Sequence, residues 1–323
     1  MARELVDAAK LAGADAVKFQ TFRVRDLYVE NAGLSGYLSA AGIRSSVNEL
    51  MAELEMPYEL VAYIAAYAGA ADIEFMSTAF STADVAAVDP HVKRHKVASY
   101  ELNHVELLEA MAATGKPIIL STGAATMDDI EFGLRTLRGA GAADVTLMQC
   151  TASYPAPPDS LNLAAIPALR DAFGVPVGLS DHSRDPIIGP VAAVALGAVC
   201  IEKHFTLDNR LPGPDHRFAI TADELGDMVT AIRTAEVVLG TGTKSVLESE
   251  RELREFAARS IQARTEIQAG EALVRGVNID VLRPGNRRRG LHPRRMVELD
   301  GRKASRPIRA GDGVTEEDVD PPL

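Results

Sequence analysis

The chain has 323 residues, 47% hydrophobic and 24% charged, with 34 Lys and Arg against 45 Asp and Glu for a net charge of −11. That balance suits one large globular domain with a smaller companion, and excludes wholesale disorder and collagen-like repeats. No apolar run approaches the roughly 18 residues of a membrane span, and the acidic surface argues against nucleic acid as a partner.

Met1–Lys10 reads as a helix, without the apolar stretch of a secretion signal. From residue 16 to 207 a short β-rich run is followed, again and again, by a stretch rich in Ala, Leu and Glu. The runs are Ala16–Thr21, Glu74–Ala79, His95–Tyr100, Pro117–Thr122, Val145–Cys150, Val175–Asp181 and Cys200–Leu207. Alternating strands and helices predict a parallel sheet, and near-continuous apolar runs predict strands buried on both faces. Seven such units favour an α/β fold of the TIM-type (β/α) barrel over an open sheet. Thr221–Gly240 reads as an amphipathic helix that closes it. Cys150 and Cys200 belong to no metal-type spacing and read as buried, reduced thiols of a cytoplasmic protein.

The segment Arg23–Pro57, carrying Tyr28 and Tyr37, is long for a connection and reads as a lid or an insertion. The barrel is expected over 1–243 and a charged helical linker over 244–258. A small β-rich domain follows over 259–323. There Ile267-Gln268-Ala269-Gly270-Glu271 precedes Asn278-Ile279 much as Ile308-Arg309-Ala310-Gly311-Asp312 precedes Asp318-Val319, which predicts two similar hairpin-like units. The basic run Arg287–Arg289 with Arg294 and Arg295 reads as a solvated loop, with an anion site as the alternative.

Polar residues gather toward the C-terminal ends of the strands, the face on which barrels build their active sites. His182 and His204 stand at the ends of consecutive runs. Their convergence suits a divalent metal with open positions, against one core and one surface histidine. Lys18 and Lys96 lie inside apolar runs, where an ammonium is costly unless paired. With Thr78, Ser99, Ser121 and Ser180 they suit a phosphate and a carboxylate together, unless they snorkel to solvent. Glu101 is an acid, a base or a helix-start carboxylate, and Pro212–His216 is a stiff loop beside His204.

Several strings in order along the chain resemble the N-acetylneuraminate (sialic acid) synthases and related nonulosonic acid synthases. They are AGADAVKFQTF (12–22), STAFS (77–81), KVASYELN (96–103), TGKPIILSTGAAT (114–126), CTASYPAP (150–157), GLSDHS (178–183), EKHFTLDNRLPGPDH (202–216) and RPGN (283–286). The last 65 residues resemble the antifreeze-like (SAF) domain of the same proteins. The resemblance implies condensation of phosphoenolpyruvate with the open-chain aldehyde of an N-acetylated mannosamine-type sugar, giving a nonulosonic acid and phosphate. It implies a divalent cation on His182 and His204, usually manganese, with magnesium or cobalt as alternatives. Lys18, Gln20, Thr78, Lys96, Ser99, Ser121 and Ser180 match positions around phosphoenolpyruvate. Glu101, Tyr154 and Asp215 match positions near the sugar. Phe256 and Arg283 match residues that the terminal domain of one subunit places over its partner's barrel, which implies a domain-swapped homodimer.

Two departures stand out. Family members begin with a strand of the type AEIGxNHxG, which the chain as given lacks, so a missing first barrel strand with an open seam is expected. Ala152-Ser153 and Asn103-His104 differ from the pattern of synthases acting on N-acetylmannosamine, which leaves the acceptor subtype open. The competing expectations are another phosphoenolpyruvate–aldose condensing barrel, a non-catalytic dimeric remnant, and a sugar-binding module without turnover.

Overall fold

The computed structural model describes residues 1–321 apart from positions 35, 37, 38 and 40–43. Tyr37 therefore lies outside the described residues. The chain divides into two compact units, Met1–Thr241 and Gly242–Leu323.

The first unit is a seven-stranded, all-parallel sheet. Its strands are β1 (Ala16–Thr21), β2 (Glu74–Ala79), β3 (His95–Val97), β4 (Ile118–Ser121), β5 (Val145–Cys150), β6 (Val177–Asp181) and β7 (Ile201–Lys203). They lie side by side in chain order. β-Branched and apolar residues dominate them, and β2, β4 and β6 are buried almost throughout. The outer faces pack on the surrounding helices around Leu107, Leu120, Leu134, Leu147 and Ile166, and around Val17, Val61, Ile64 and Phe75. A smaller inner cluster of Met76, Ile119 and Met148 fills the interior below the polar strand ends. At Gly178 a Cβ would meet the Cys200 carbonyl oxygen at 2.5 Å, so only glycine lets β6 and β7 approach as they do.

Capping residues fix where strands give way to helices. Ser81, Thr126 and Thr221 accept the backbone N–H of Asp84, Asp129 and Glu224, each such cap being worth about 1 kcal/mol. The helix Ala222–Leu239 packs on helices Ile188–Ala195 and Ala2–Leu11. The sequence predicts that it closes the barrel, but β1 and β7 remain the unpaired ends of the sheet among the described residues. Their side chains meet across the interior instead. Beyond β7 the chain forms a separate two-stranded pair, β8 (Phe205–Thr206) with β9 (Ile220–Thr221). The loop between them is held by Asn209, whose Nδ2 donates to the carbonyls of His216 and Ala219. Cys150 is buried as expected, whereas Cys200 keeps partial exposure because it precedes the edge strand; both are free thiols. No helix among the described residues is long and apolar enough to cross a membrane.

In the second unit β10 (Ser260–Ala263) pairs with β11 (Ile279–Leu282), and β12 (Lys303–Ala304) with β13 (Val319–Asp320), both antiparallel. The sequence echo is an echo in space. Ile267 and Ile308 exchange both backbone hydrogen bonds at 2.9 Å, and Gly270 and Gly311 turn with φ of 83° and 84°. Ile261, Ile267, Leu273, Ile279, Leu299 and Ile308 form one shared core. The basic run is largely exposed, as a solvated loop is, but three of its arginines are engaged: Arg288 pairs with Asp318, Arg295 with Glu298 and Glu316, and Arg289 donates to the Arg254 carbonyl.

Candidate active site

Strand alternation turns Lys18, Thr78, Lys96, Ser121, Cys150, Ser180 and Glu202 toward the interior of the first unit. They line a cavity of about 1970 Å³ that also reaches Gln20, Ser99, Glu101, Tyr154, His182, His204 and Asp215. Thus every barrel residue matched above to phosphoenolpyruvate, the sugar or the metal lines one cavity.

Lys96 is 2% exposed, and its ammonium donates to Ser121 Oγ at 2.6 Å and to its neighbour's carbonyl, Val97 O, at 2.9 Å. Burial pushes its pKa down to about 8, opposed by the nearby Glu202 carboxylate. Lys18 reaches Glu202 Oε1 at 3.2 Å and Thr78 Oγ1 at 3.4 Å. Ser180 donates to the same Glu202 oxygen at 3.0 Å, while Lys96 stands 3.9 Å from it. Burial alone would raise the Glu202 pKa, but the two lysines override it and hold the carboxyl far below its usual range. The cluster of two ammoniums and one carboxylate keeps a net positive charge.

Above this floor the two imidazoles meet edge to face, with ring centroids 5.3 Å apart. Tyr154 lies tilted over His182 at 4.2 Å, and Phe218 backs His204 at 5.3 Å. His182 Nδ1 donates to the Thr151 carbonyl at 2.8 Å, which leaves the Nε2 lone pair available. Burial, reinforced by His182, pushes the His204 pKa down to about 3. Asp215 Oδ2 stands 3.6 Å from His204 Nε2, and burial raises its pKa to about 6. Two neutral imidazoles with one carboxylate beside them suit a divalent cation that leaves positions to substrate or water. Among the described residues there is no group of three or more His, Cys, Asp or Glu arranged to hold a metal by themselves.

Glu101 sits in a one-turn helix after β3, and burial raises its carboxyl to about 7. Ser99 accepts the Gly123 N–H at 2.9 Å, so it also fixes the loop after β4. Phe256 and Arg283 belong to the second unit, where the Phe256 carbonyl accepts the Gly285 N–H at 3.0 Å.

Sequence reasoning gave Glu202 no role, although it shares the period-two face of His204. Its importance depends on β1 and β7 meeting across the interior. The Asp181–Lys203 pair escaped notice as well, because both side chains point to the outer face.

Fold and cavity together define a parallel (β/α) barrel-type protein whose strand ends carry two lysines and one carboxylate beneath two imidazoles. The chain matches the NeuB family over residues 5–244 and the SAF domain over residues 258–320, and it belongs to the NeuB family. It is 42% identical to the spore coat polysaccharide biosynthesis protein SpsE of Bacillus subtilis, over 98% of this chain and 88% of that protein. It is 36% identical to the N,N'-diacetyllegionaminic acid synthase of Legionella pneumophila, over 99% of this chain and 90% of the relative. Among solved structures, a putative spore coat polysaccharide biosynthesis protein E from Chromobacterium violaceum superimposes with a TM-score of 0.77 at 26% identity, covering 99% and 95% of the two chains.

Proposed function

We propose that this chain condenses phosphoenolpyruvate with the open-chain aldehyde of an N-acetylated mannosamine-type sugar to form a nonulosonic acid. The observation that carries the reading is the single cavity in which Lys18, Lys96, Ser121 and Ser180 adjoin His182 and His204. Two ammoniums and several hydroxyls suit the carboxylate and phosphate of phosphoenolpyruvate. His182 and His204 would hold a divalent cation, manganese first, which when bound supplies Lewis acidity toward the aldehyde oxygen. The chain's own residues hold phosphoenolpyruvate so that its C3 faces the aldehyde carbon. C3 forms the new carbon–carbon bond, water adds at C2, and the resulting tetrahedral carbon loses phosphate to leave the 2-keto acid. Glu101, with its pKa raised to about 7, is protonated often enough near neutrality to supply the proton the aldehyde oxygen needs as it becomes a hydroxyl. Phe256 and Arg283 would come from a second subunit to complete the sugar side, in a domain-swapped homodimer.

The test is phosphate release from phosphoenolpyruvate with and without manganese, across N-acetylmannosamine and diacetamido-trideoxyhexoses. Release is expected to need both sugar and metal, and to disappear in His204→Ala. Sugar binding without any release would favour a non-catalytic module. Release that persists in His204→Ala with unchanged metal dependence would overturn the metal assignment.

A further inference from the structure

Asp181 and Lys203 are the last paired rung between β6 and β7, and each immediately precedes one of the two histidines. Their side chains lie on the outer face, 0% and 2% exposed, with Lys203 Nζ 2.6 Å from Asp181 Oδ2. The ammonium also donates to the Ser183 carbonyl at 2.6 Å, the Asp185 carbonyl at 2.9 Å and Ser183 Oγ at 3.2 Å. Asp181 is occupied in turn: Oδ1 accepts the Ser183 N–H at 2.8 Å and Oδ2 accepts the Ser183 hydroxyl at 3.0 Å. At Gly189 a Cβ would sit 3.2 Å from Asp181 Oδ2, so the following helix closes tightly over the carboxylate.

The arrangement places one cation from β7 at the centre of the loop that leaves β6. β7 is three residues long and, within the sheet, pairs only with β6 among the described residues. His204 follows directly on this edge strand, whose lateral position in the sheet depends on β6, while its own carbonyl accepts the Ile220 N–H at 3.0 Å. His182 rides on a loop whose carbonyls converge on the β7 lysine. Ring spacing within the imidazole pair is thus tied to a side-chain link directly behind it, much as residues behind metal ligands orient them elsewhere.

We propose that Lys203, with Asp181, is a positioning clamp that sets the distance between His182 and His204 and so the affinity of the pair for a divalent cation. This rests on the metal reading of those histidines given above. Breaking such links behind metal ligands typically weakens binding about 10–100-fold.

The test is manganese binding by the full chain, read from the electron-paramagnetic signal of free Mn²⁺, with folding followed by circular dichroism. The double variant Asp181→Asn/Lys203→Met removes both charges, so that neither is left buried alone. It is expected to stay folded and to bind manganese at least about tenfold more weakly. Its affinity for phosphoenolpyruvate without metal, which depends on Lys18 and Lys96, should change little. Lys203→Arg keeps the charge but cannot place one ammonium against all four oxygens, and it reads the same effect if the neutral pair unfolds. Wild-type manganese affinity in the folded variants, with binding lost in His204→Ala, would overturn the clamp alone. No manganese binding in the wild type, or binding unchanged in His204→Ala, would overturn the metal reading and the clamp with it.

Discussion

Each unit holds a carboxylate between two cations, and the two handle it differently. In the second unit Asp318 is fully buried and saturated. Its Oδ1 accepts Arg306 Nε at 2.6 Å, and its Oδ2 accepts Arg288 Nη2, Thr315 N and Thr315 Oγ1, each at 2.8 Å. In the first unit Glu202 is shared by Lys18, Lys96 and Ser180 through one oxygen, and it faces an open cavity. Asp318 works as a cross-link with no room for a guest. Glu202 keeps open space beside it, as the proposed binding of an anion by Lys18 and Lys96 requires of a displaceable counter-charge. What separates a structural ion cluster from a binding one is unfilled space and spare donor capacity, since the charges are alike in both.

Glu202→Gln presses hardest on this comparison. It leaves Lys96 buried without its counter-charge, a defect expected to cost about 3 kcal/mol. Thermal melts should show that inorganic phosphate or phosphoenolpyruvate restores most of that loss, because the anion takes the carboxylate's place. Failure of any anion to restore stability would show that the lysine cluster is not an anion site. Asp318→Asn should cost somewhat less, about 2 kcal/mol, since both arginines can turn to water. No anion should rescue it; rescue by phosphate would erase the contrast.

A smaller effect is expected at Glu101. Folded Glu101 keeps its proton to about pH 7, against an ordinary value of 4.5. Between these values the folded state is the more protonated, so rising pH withdraws stability, and the cost is complete above pH 7. Glu101→Gln should therefore match the wild type near pH 4 and exceed it by about 1–2 kcal/mol at pH 8. A difference of the same size at both pH values would refute the raised pKa.

Much of the barrel was legible because a strand buried on both faces leaves a continuous apolar run, as in Ile118–Ser121. Lysines inside such runs announced themselves by their cost, and Lys18 and Lys96 do reach the interior. What stayed hidden depends on strands far apart in the chain. Glu202 looked like one more polar residue until β1 came round to face β7. Lys203 drew no reading of its own, since alternation gives its face but not the buried acid waiting there. The arginines at 288 and 295 were ambiguous for the same reason, because Asp318 and Glu316 lie well downstream.

The neighbour-to-neighbour order of the sheet bears on how the molecule is made. Because β1 to β7 pair in the order in which they occur, each strand meets a partner that has already left the ribosome. In the second unit the opening strand can meet β11 first, but Ile261 within it also bonds to Leu291 and Val314, so its hydrogen bonding is completed only by segments synthesised later. Purified chains ending at residue 241 should already shield the barrel strands from protease, whereas purified chains ending near residue 300, without Val314, should leave Ser260–Ala263 more open to cleavage than the full chain does. One unit is assembled by accretion and the other is finished by closure.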